Sequence, residues 1–238
     1  MATLFISDLH LAASRPEITS AFEIFLSGAA LQGESLYILG DLFEYWAGDD
    51  DLDDPFNARV IEALARCSAR VPVFFMHGNR DFLAGAQFAS VAGLTLLNDP
   101  LVAQISGRRT LIMHGDTLCT DDLEYQRFRS EVRSPEWAAV FLALPLAERK
   151  RRIERLRQQS EVRKKEKSMT IMDVSETAVE SALRTHACDR LIHGHTHRPG
   201  RHSLLVDGRS CERLVLGDWY EQGSHLRCTA EGCTTSTD

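Results

Sequence analysis

The sequence predicts an α/β fold in which two packed mixed β-sheets are flanked by helices and carry a helical cap insertion. Three observations predict it. Five apolar runs, Leu4-Phe5-Ile6, Leu36-Tyr37-Ile38-Leu39, Val73-Phe74-Phe75-Met76, Leu111-Ile112-Met113 and Leu191-Ile192, are too continuously apolar for a sheet with one wet face. Each run ends in a short polar motif, and in covered sheets ligands bind just beyond the strand ends. The segment 121–187, between the fourth and fifth runs, reads as helix throughout and is longer than a crossover needs.

The elements follow in order. Met1 leads almost directly into the first run, which leaves no room for a signal peptide. The strand-closing motifs are Asp8-Leu9-His10, Gly40-Asp41-Leu42-Phe43-Glu44, Gly78-Asn79-Arg80-Asp81, His114-Gly115-Asp116 and Gly194-His195-Thr196-His197. In the insertion Ser134 reads as an N-cap, with Pro135 at the first helical position and Glu136 beside it. Trp137, Val140, Phe141 and Leu144 follow at helical spacing until Pro145 ends the helix. A second helix from Pro145 or Leu146 keeps Leu146, Ile153 and Leu156 on one face. A third, from Ser168 or Thr170, runs through Val174, Ala178, Val179 and Leu183. The segments at Ser203–Val206, Arg213–Leu216 and His225–Arg227 alternate like antiparallel strands, with turns at Asp207-Gly208 and Gln222-Gly223. They are expected to complete the second sheet. The predicted organisation is a core of 1–120 and 188–238 with a cap of 121–187.

Composition bounds the function. The 238 residues, 44% hydrophobic and 26% charged, suffice for one large domain or one domain with an appendage. No apolar stretch approaches the ~20 residues that span a bilayer. The cysteines Cys67, Cys119, Cys188, Cys211, Cys228 and Cys233 form no CxxC pair and read as reduced thiols of a cytosolic protein. Cys228 and Cys233 are close enough for a weak redox or metal pair. The net charge of −7 hides an asymmetry: ten Lys and Arg stand between Arg149 and Lys167 against Glu154, Glu161 and Glu166, a local +7, so the remainder carries −14. Such a run is ordinarily a solvated helix face. Beside a phosphate-handling site it could instead meet phosphate, or anionic headgroups at about 1 kcal/mol per residue.

Two Asp, one Asn and four His thus converge from five strands: Asp8, His10, Asp41, Asn79, His114, His195 and His197. Singly, these motifs are common turn chemistry. Together they form an oxygen- and nitrogen-rich shell for a pair of divalent metals about 3.5–4 Å apart.

In this order the motifs resemble the calcineurin-like metallophosphoesterase superfamily. The longer strings Ser7–Leu11, Gly40–Trp46, Gly78–Phe82 and Leu214–Trp219 resemble its UDP-2,3-diacylglucosamine hydrolase family, the pyrophosphatases of bacterial lipid A synthesis. The resemblance implies two metals bridged by Asp41, one held by Asp8, His10 and His197, the other by Asn79, His114 and His195. It implies Asn79, Arg80 and His195 as catalytic residues, and Asp122, Ser160, Lys164 and Lys167 as further contacts to the glucosamine and phosphate of the substrate. It implies hydrolysis of the diphosphate to UMP and the acylated glucosamine 1-phosphate. Expected surroundings are two divalent metal ions, Mn2+ by donor type with zinc and iron left open, an acylated nucleotide-sugar substrate, an anionic membrane surface, no nucleic acid and a monomer. The expected location is cytoplasmic, peripheral on the inner membrane. The alternatives are a related phosphodiesterase or pyrophosphatase acting on a soluble nucleotide, and a scaffold that has lost catalysis.

Arg80 stands where most of the superfamily has His. A permanently charged guanidinium clamps phosphate but donates no proton. That suits a leaving group needing none, such as the phosphate of a cleaved diphosphate with its second pKa near ~6. The other reading is an ion pair of Arg80 with Asp81 or Glu44. Asp81 and Asp116 are expected to orient ligand histidines, and His77 and His193 to sit behind the ligands or in the core. Trp46 and Phe82 would line an acyl or uridine pocket or pack in the core. Trp137 and Phe141 would cover the acyl chains.

Overall fold

Period-two burial along the strands sorts the molecule into layers. The computed structural model describes residues 2–166 and 173–237, with side chains described outside 159–172. In chain order its strands are β1 (Thr3–Ile6), β2 (Ser35–Ile38), β3 (Val73–Met76), β4 (Thr95–Leu97), β5 (Leu101–Ile105), β6 (Arg108–Met113), β7 (Arg190–His193), β8 (Gly200–Val206), β9 (Arg209–Val215), β10 (Ser224–Thr229) and β11 (Gly232–Thr237). Its helices are α1 (Pro16–Ser27), α2 (Pro55–Ser68), α3 (Ala86–Ala92), α4 (Leu123–Val132), α5 (Pro135–Leu142), α6 (Leu146–Glu166) and α7 (Glu176–Thr185).

One sheet runs β11-β10-β1-β2-β3-β4, the other β5-β6-β7-β9-β8. Parallel pairing joins β1 to β2, β2 to β3 and β3 to β4 in the first sheet, and β6 to β7 and β7 to β9 in the second. Antiparallel strands close the edges at β10–β11, β5 and β8. Leu4 and Ile6 face α1–α3, whereas Phe5 joins Ile112, Ile192, Leu214 and Leu226 between the sheets. Leu111 and Leu191 face the other way, onto Val179 and Leu183 of α7. With both faces covered, each fully buried Leu, Ile or Phe contributes about 1.5–3 kcal/mol.

Two expectations are corrected. The strand at His225–Arg227 joins the first sheet, not the second: Leu4 pairs with Arg227 and Phe5 with Leu226, antiparallel. Alternation reports that a strand is half covered, and either sheet satisfies it. Nor are all six cysteines thiols, because the β10–β11 register sets Cys228 opposite Cys233 and the two form a disulfide. Cys67, Cys119, Cys188 and Cys211 are free and buried.

The insertion is of two kinds. α7 packs on the second sheet as part of its core. α4, α5 and α6 contact one another in succession. Ser134 caps α5 as expected, accepting from Trp137 N–H at 3.2 Å. Asp122 caps α4, accepting from Tyr125 N–H at 3.0 Å. The third helix starts at Glu176; Ser168 and Thr170 lie outside the described residues. Among the described residues no helix is long and apolar enough to cross a membrane.

Candidate metal centre

The strand-closing motifs have an uncommon backbone. Asp8, His10, Asp41, His195 and His197 have φ of 56°, 50°, 52°, 69° and 54°. This left-handed region costs a non-glycine residue about 1–2 kcal/mol. Loops hold one another there: Asp8 N–H donates to Gly40 O (3.1 Å), His10 N–H to Asp41 O (2.9 Å) and Gly194 N–H to His114 O (2.9 Å). The approach is close enough to require glycine. A Cβ on Gly78 would lie 2.1 Å from Asp41 Oδ1, and one on Gly194 2.3 Å from Asp8 Oδ2.

All seven predicted donors come together. His10 Nε2 lies 3.3 Å from His197 Nε2, and His197 Nε2 lies 3.4 Å from Asp8 Oδ1. On the other side Asn79 Oδ1 lies 3.2 Å from His114 Nε2 and 2.9 Å from His195 Nδ1. Asp41 stands between, Oδ2 3.8 Å from His10 Nε2 and Oδ1 3.8 Å from His114 Nε2. Donor atoms of Asp8, His10 and His197, and of Asp8, Asp41 and His114, lie within 4.8 Å of one another.

The residues fit a divalent pair. Asp8 and Asp41 are buried carboxylates facing imidazole nitrogens. Asp8 Oδ1 is sealed from solvent and accepts no hydrogen bond, while Oδ2 accepts from Ser7 Oγ (2.5 Å) and His195 N–H (2.8 Å). Burial, reinforced by Asp81 and Asp8 against His114, pushes Asp41 up to about 7. For His114, burial is outweighed by Asp41, Asp116 and Asp8, which push it up to about 9. Burial and then His114 press His195 down to about 3, leaving a neutral ring ready to ligate. Asp8 is held well below the usual carboxylate range, because His197, His114 and His10 outweigh its burial.

Around the donors, His114 Nδ1 is hydrogen-bonded to Leu39 O at 2.7 Å. His10 Nδ1 lies 3.5 Å from Glu44 Oε2, and His197 Nδ1 lies 3.4 Å from Asp218 Oδ2. The expected roles of Asp81 and Asp116 are therefore corrected. Asp81 accepts from Gly78 N–H (2.8 Å) and Leu42 N–H (2.7 Å), stapling two loops. Asp116 accepts from Tyr125 Oη (2.8 Å) and Arg129 Nε (2.7 Å), and acts on His114 only through its charge. Both need the backbone and helix contacts more than a histidine. His77 is hydrogen-bonded to Ala84 O (2.6 Å) and His193 to Gly194 O (2.8 Å).

Arg80 lies beside the donors, its N–H donating to Asp41 Oδ1 (2.9 Å). Its guanidinium has a long pairing with Glu44 (3.7 Å), and its Nε is buried without a hydrogen bond. Trp46 is core, fully buried against Phe43 and Phe88. Phe82 is the ring that reaches the helices, 6.1 Å from Trp137, which stacks on Phe141 at 4.5 Å. The basic run does not all face outward. Arg149 is 1% exposed, bonded to Ala47 O and paired with Asp50, and Lys150 pairs with Asp51 and Asp54. Arg151, Arg152 and Arg155 are exposed. Ser160 and Lys164 fall outside the described side chains, and Lys167 outside the described residues.

Sequence reasoning missed the polar face of α4 and the turn after β9. Tyr125, Arg129 and Arg133 recur every four residues, and that spacing was the available signal. Arg133 donates to Gly78 O (2.8 Å), and the Tyr125 ring stacks on His195 (5.9 Å). Arg157 pairs with Glu44 at 2.8 Å. Tyr220 stacks on His10 at 5.5 Å.

Comparison with known proteins agrees with this geometry. The model of the calcineurin-like phosphoesterase family matches residues 1–199. The chain is 51% identical over 232 residues to the UDP-2,3-diacylglucosamine hydrolase of Escherichia coli O81 (strain ED1a), covering 97% of this chain and 96% of that one. It is 53% identical over 233 residues to the enzyme of the same name from Aromatoleum aromaticum, covering 98% and 95%. Among solved structures, one described as a novel archaeal phosphodiesterase superposes over the full length of both chains with a TM-score of 0.50 at 15% identity, a likeness of fold alone.

Proposed function

The chain belongs to the UDP-2,3-diacylglucosamine hydrolase family of calcineurin-like phosphoesterases, and from that premise we propose that it cleaves the diphosphate of UDP-2,3-diacylglucosamine, giving UMP and 2,3-diacylglucosamine 1-phosphate. The observation that carries this reading is the shell of seven donors with Arg80 beside it, beneath aromatic side chains of the inserted helices.

Asp8, His10 and His197 would hold one ion, Asn79, His114 and His195 the other, with Asp41 offering one oxygen to each side. When bound, the pair, Mn2+ by the preference of carboxylate, amide and imidazole donors, supplies Lewis acidity and an ionised water at neutral pH. The chain's own residues supply the rest. Buried in a fixed backbone, they need no reorganisation as charge develops. Asn79, Arg80 and His195 meet the charge growing on the phosphoryl oxygens. Arg80 cannot protonate the departing group, which selects a phosphate over an alkoxide. Tyr125 packs against His195 and fixes the ring that Asn79 also holds.

In this reading α4–α6 are the cap. Asp122, Ser160, Lys164 and Lys167 contact sugar and phosphate. Trp137, backed by the buried Phe141 on which it stacks, covers the acyl chains together with the exposed Leu123, Phe128 and Val140. Each buried methylene contributes about 0.8 kcal/mol. Arg151, Arg152 and Arg155, exposed and gathered around Glu148, are available to anionic headgroups, which supports the reading of a monomeric enzyme working on the cytoplasmic face of the inner membrane. The test is Mn2+-dependent release of UMP from the acylated nucleotide sugar and from its deacylated counterpart. A large preference for the acylated substrate is expected; equal rates would point to a soluble nucleotide substrate instead.

A further inference from the structure

The four histidines facing the centre differ in what stands behind them. His10 and His197 turn Nε2 inward and Nδ1 toward carboxylates, Glu44 Oε2 at 3.5 Å and Asp218 Oδ2 at 3.4 Å. His114 also turns Nε2 inward, but its Nδ1 is bonded to the peptide oxygen of Leu39 at 2.7 Å. His195 presents Nδ1 to the centre and is stacked on Tyr125. Among the described residues, a carboxylate faces the outward ring nitrogen of His10 and of His197, whereas Asp116 acts on His114 and His195 through its charge without a hydrogen bond to either ring.

A carboxylate behind an imidazole fixes its tautomer and raises the basicity of the inward nitrogen. A peptide oxygen fixes the tautomer without the full negative charge. Loss of such an outer partner typically lowers metal affinity about 10–100-fold.

The carboxylates are themselves held. Asp218 Oδ1 accepts from Tyr220 N–H at 3.1 Å, and the Tyr220 ring lies 5.5 Å from His10 and 5.3 Å from His197. The Arg15 guanidinium lies 4.7 Å over that ring and donates to His10 O (3.3 Å) and Trp219 O (3.2 Å). Trp219 is buried edge-on to Phe22 and Phe25, so the turn that carries Asp218 is fixed in the core. Glu44 is held by Arg157 at 2.8 Å.

We infer that Glu44 and Asp218 are positioning residues that make the site of Asp8, His10 and His197 the tighter of two metal positions. The inference rests on the two-metal reading proposed above. It is tested by calorimetric titration of Mn2+ into the metal-free full-length protein, wild type and the variants Glu44→Gln, Asp218→Asn and Asn79→Ala. The amide of Asp218→Asn keeps an acceptor for Tyr220 N–H and removes the charged acceptor that faces His197 Nδ1, and Glu44→Gln is an independent substitution in another loop.

Wild type is expected to bind two ions in two classes. Glu44→Gln and Asp218→Asn should each weaken the tighter class about 10–100-fold and spare the weaker, while Asn79→Ala weakens the weaker one. If two ions bind but the carboxylate variants leave the tighter class intact, weaken both classes equally, or weaken the class that Asn79→Ala weakens, the inference is overturned and the two-metal reading stands. Fewer than two ions in wild type would overturn both.

Discussion

The floor of the site and the helices over it are built by opposite means. The floor is backbone bonded to backbone: five donors in left-handed conformations, loops bridged at 2.9–3.1 Å, and glycines where a methyl group would not fit. The helices α4 and α6 are attached by long side chains, Arg129 and Arg133 from one, Arg149, Lys150 and Arg157 from the other. The floor resists displacement of any single atom. The helices rest on side-chain contacts instead, and two of these, Arg157 and Arg133, end on Glu44 and Gly78 of the floor itself. Fixed donors suit charge stabilisation, whereas side-chain anchors suit a bulky substrate.

That contrast can be broken at four points. The largest effect belongs to the floor: His10→Asn or Asn79→Ala should lower turnover by at least about a hundredfold, with the metal-free protein melting close to wild type, since each removes a donor rather than core volume. Near-wild-type turnover at limiting Mn2+ would remove these residues from the ligand set. Arg80→His comes next, with a loss of about 10–100-fold on the diphosphate for one charge-assisted contact. An unchanged rate would leave Arg80 as a partner of Glu44 only.

At the overhang, Trp137→Ala and Phe141→Ala should raise KM for the acylated substrate roughly tenfold or more and leave a small chromogenic phosphodiester nearly unaffected. Equal effects on both would make these rings ordinary core. The fourth point is pH. In the metal-free protein Asp41 titrates at about 7 against an ordinary 3.8, so its contribution to stability is fullest at low pH and is lost as pH rises through about 7. Ions must displace that proton and the one held by His114, pushed up to about 9, so affinity should rise by up to about a hundredfold per pH unit below about 7 and by up to about tenfold per unit from there to about 9. Calorimetry at pH 6 and 8 measures it; a flat profile would mean Asp41 is ionised without metal.

The floor was legible in the sequence because each donor follows its strand directly, so covalent order and spatial order coincide. The overhang was legible only as helices. Ser134 announces its own cap, being a local matter, but that Arg149 would be buried against Ala47 depends on a contact across 102 residues. Asp218 stands inside a motif whose residues do not state its role, since its meaning lies in His197 opposite. Cys228 and Cys233 needed the hairpin register before their pairing was visible. Alternation at His225–Arg227 described a strand without naming its sheet.

The centre also sets a time order. His10 and His197 meet across 187 residues, and Asp218 backs His197 from later still. During synthesis the donors of the first strands leave the ribosome long before their partners exist, and until the loop after β7 has been made the chain has no complete donor set for either proposed ion. A complete donor set therefore awaits the loop after β7, and a nascent or truncated protein ending before His195 can form helices and parallel strands without one.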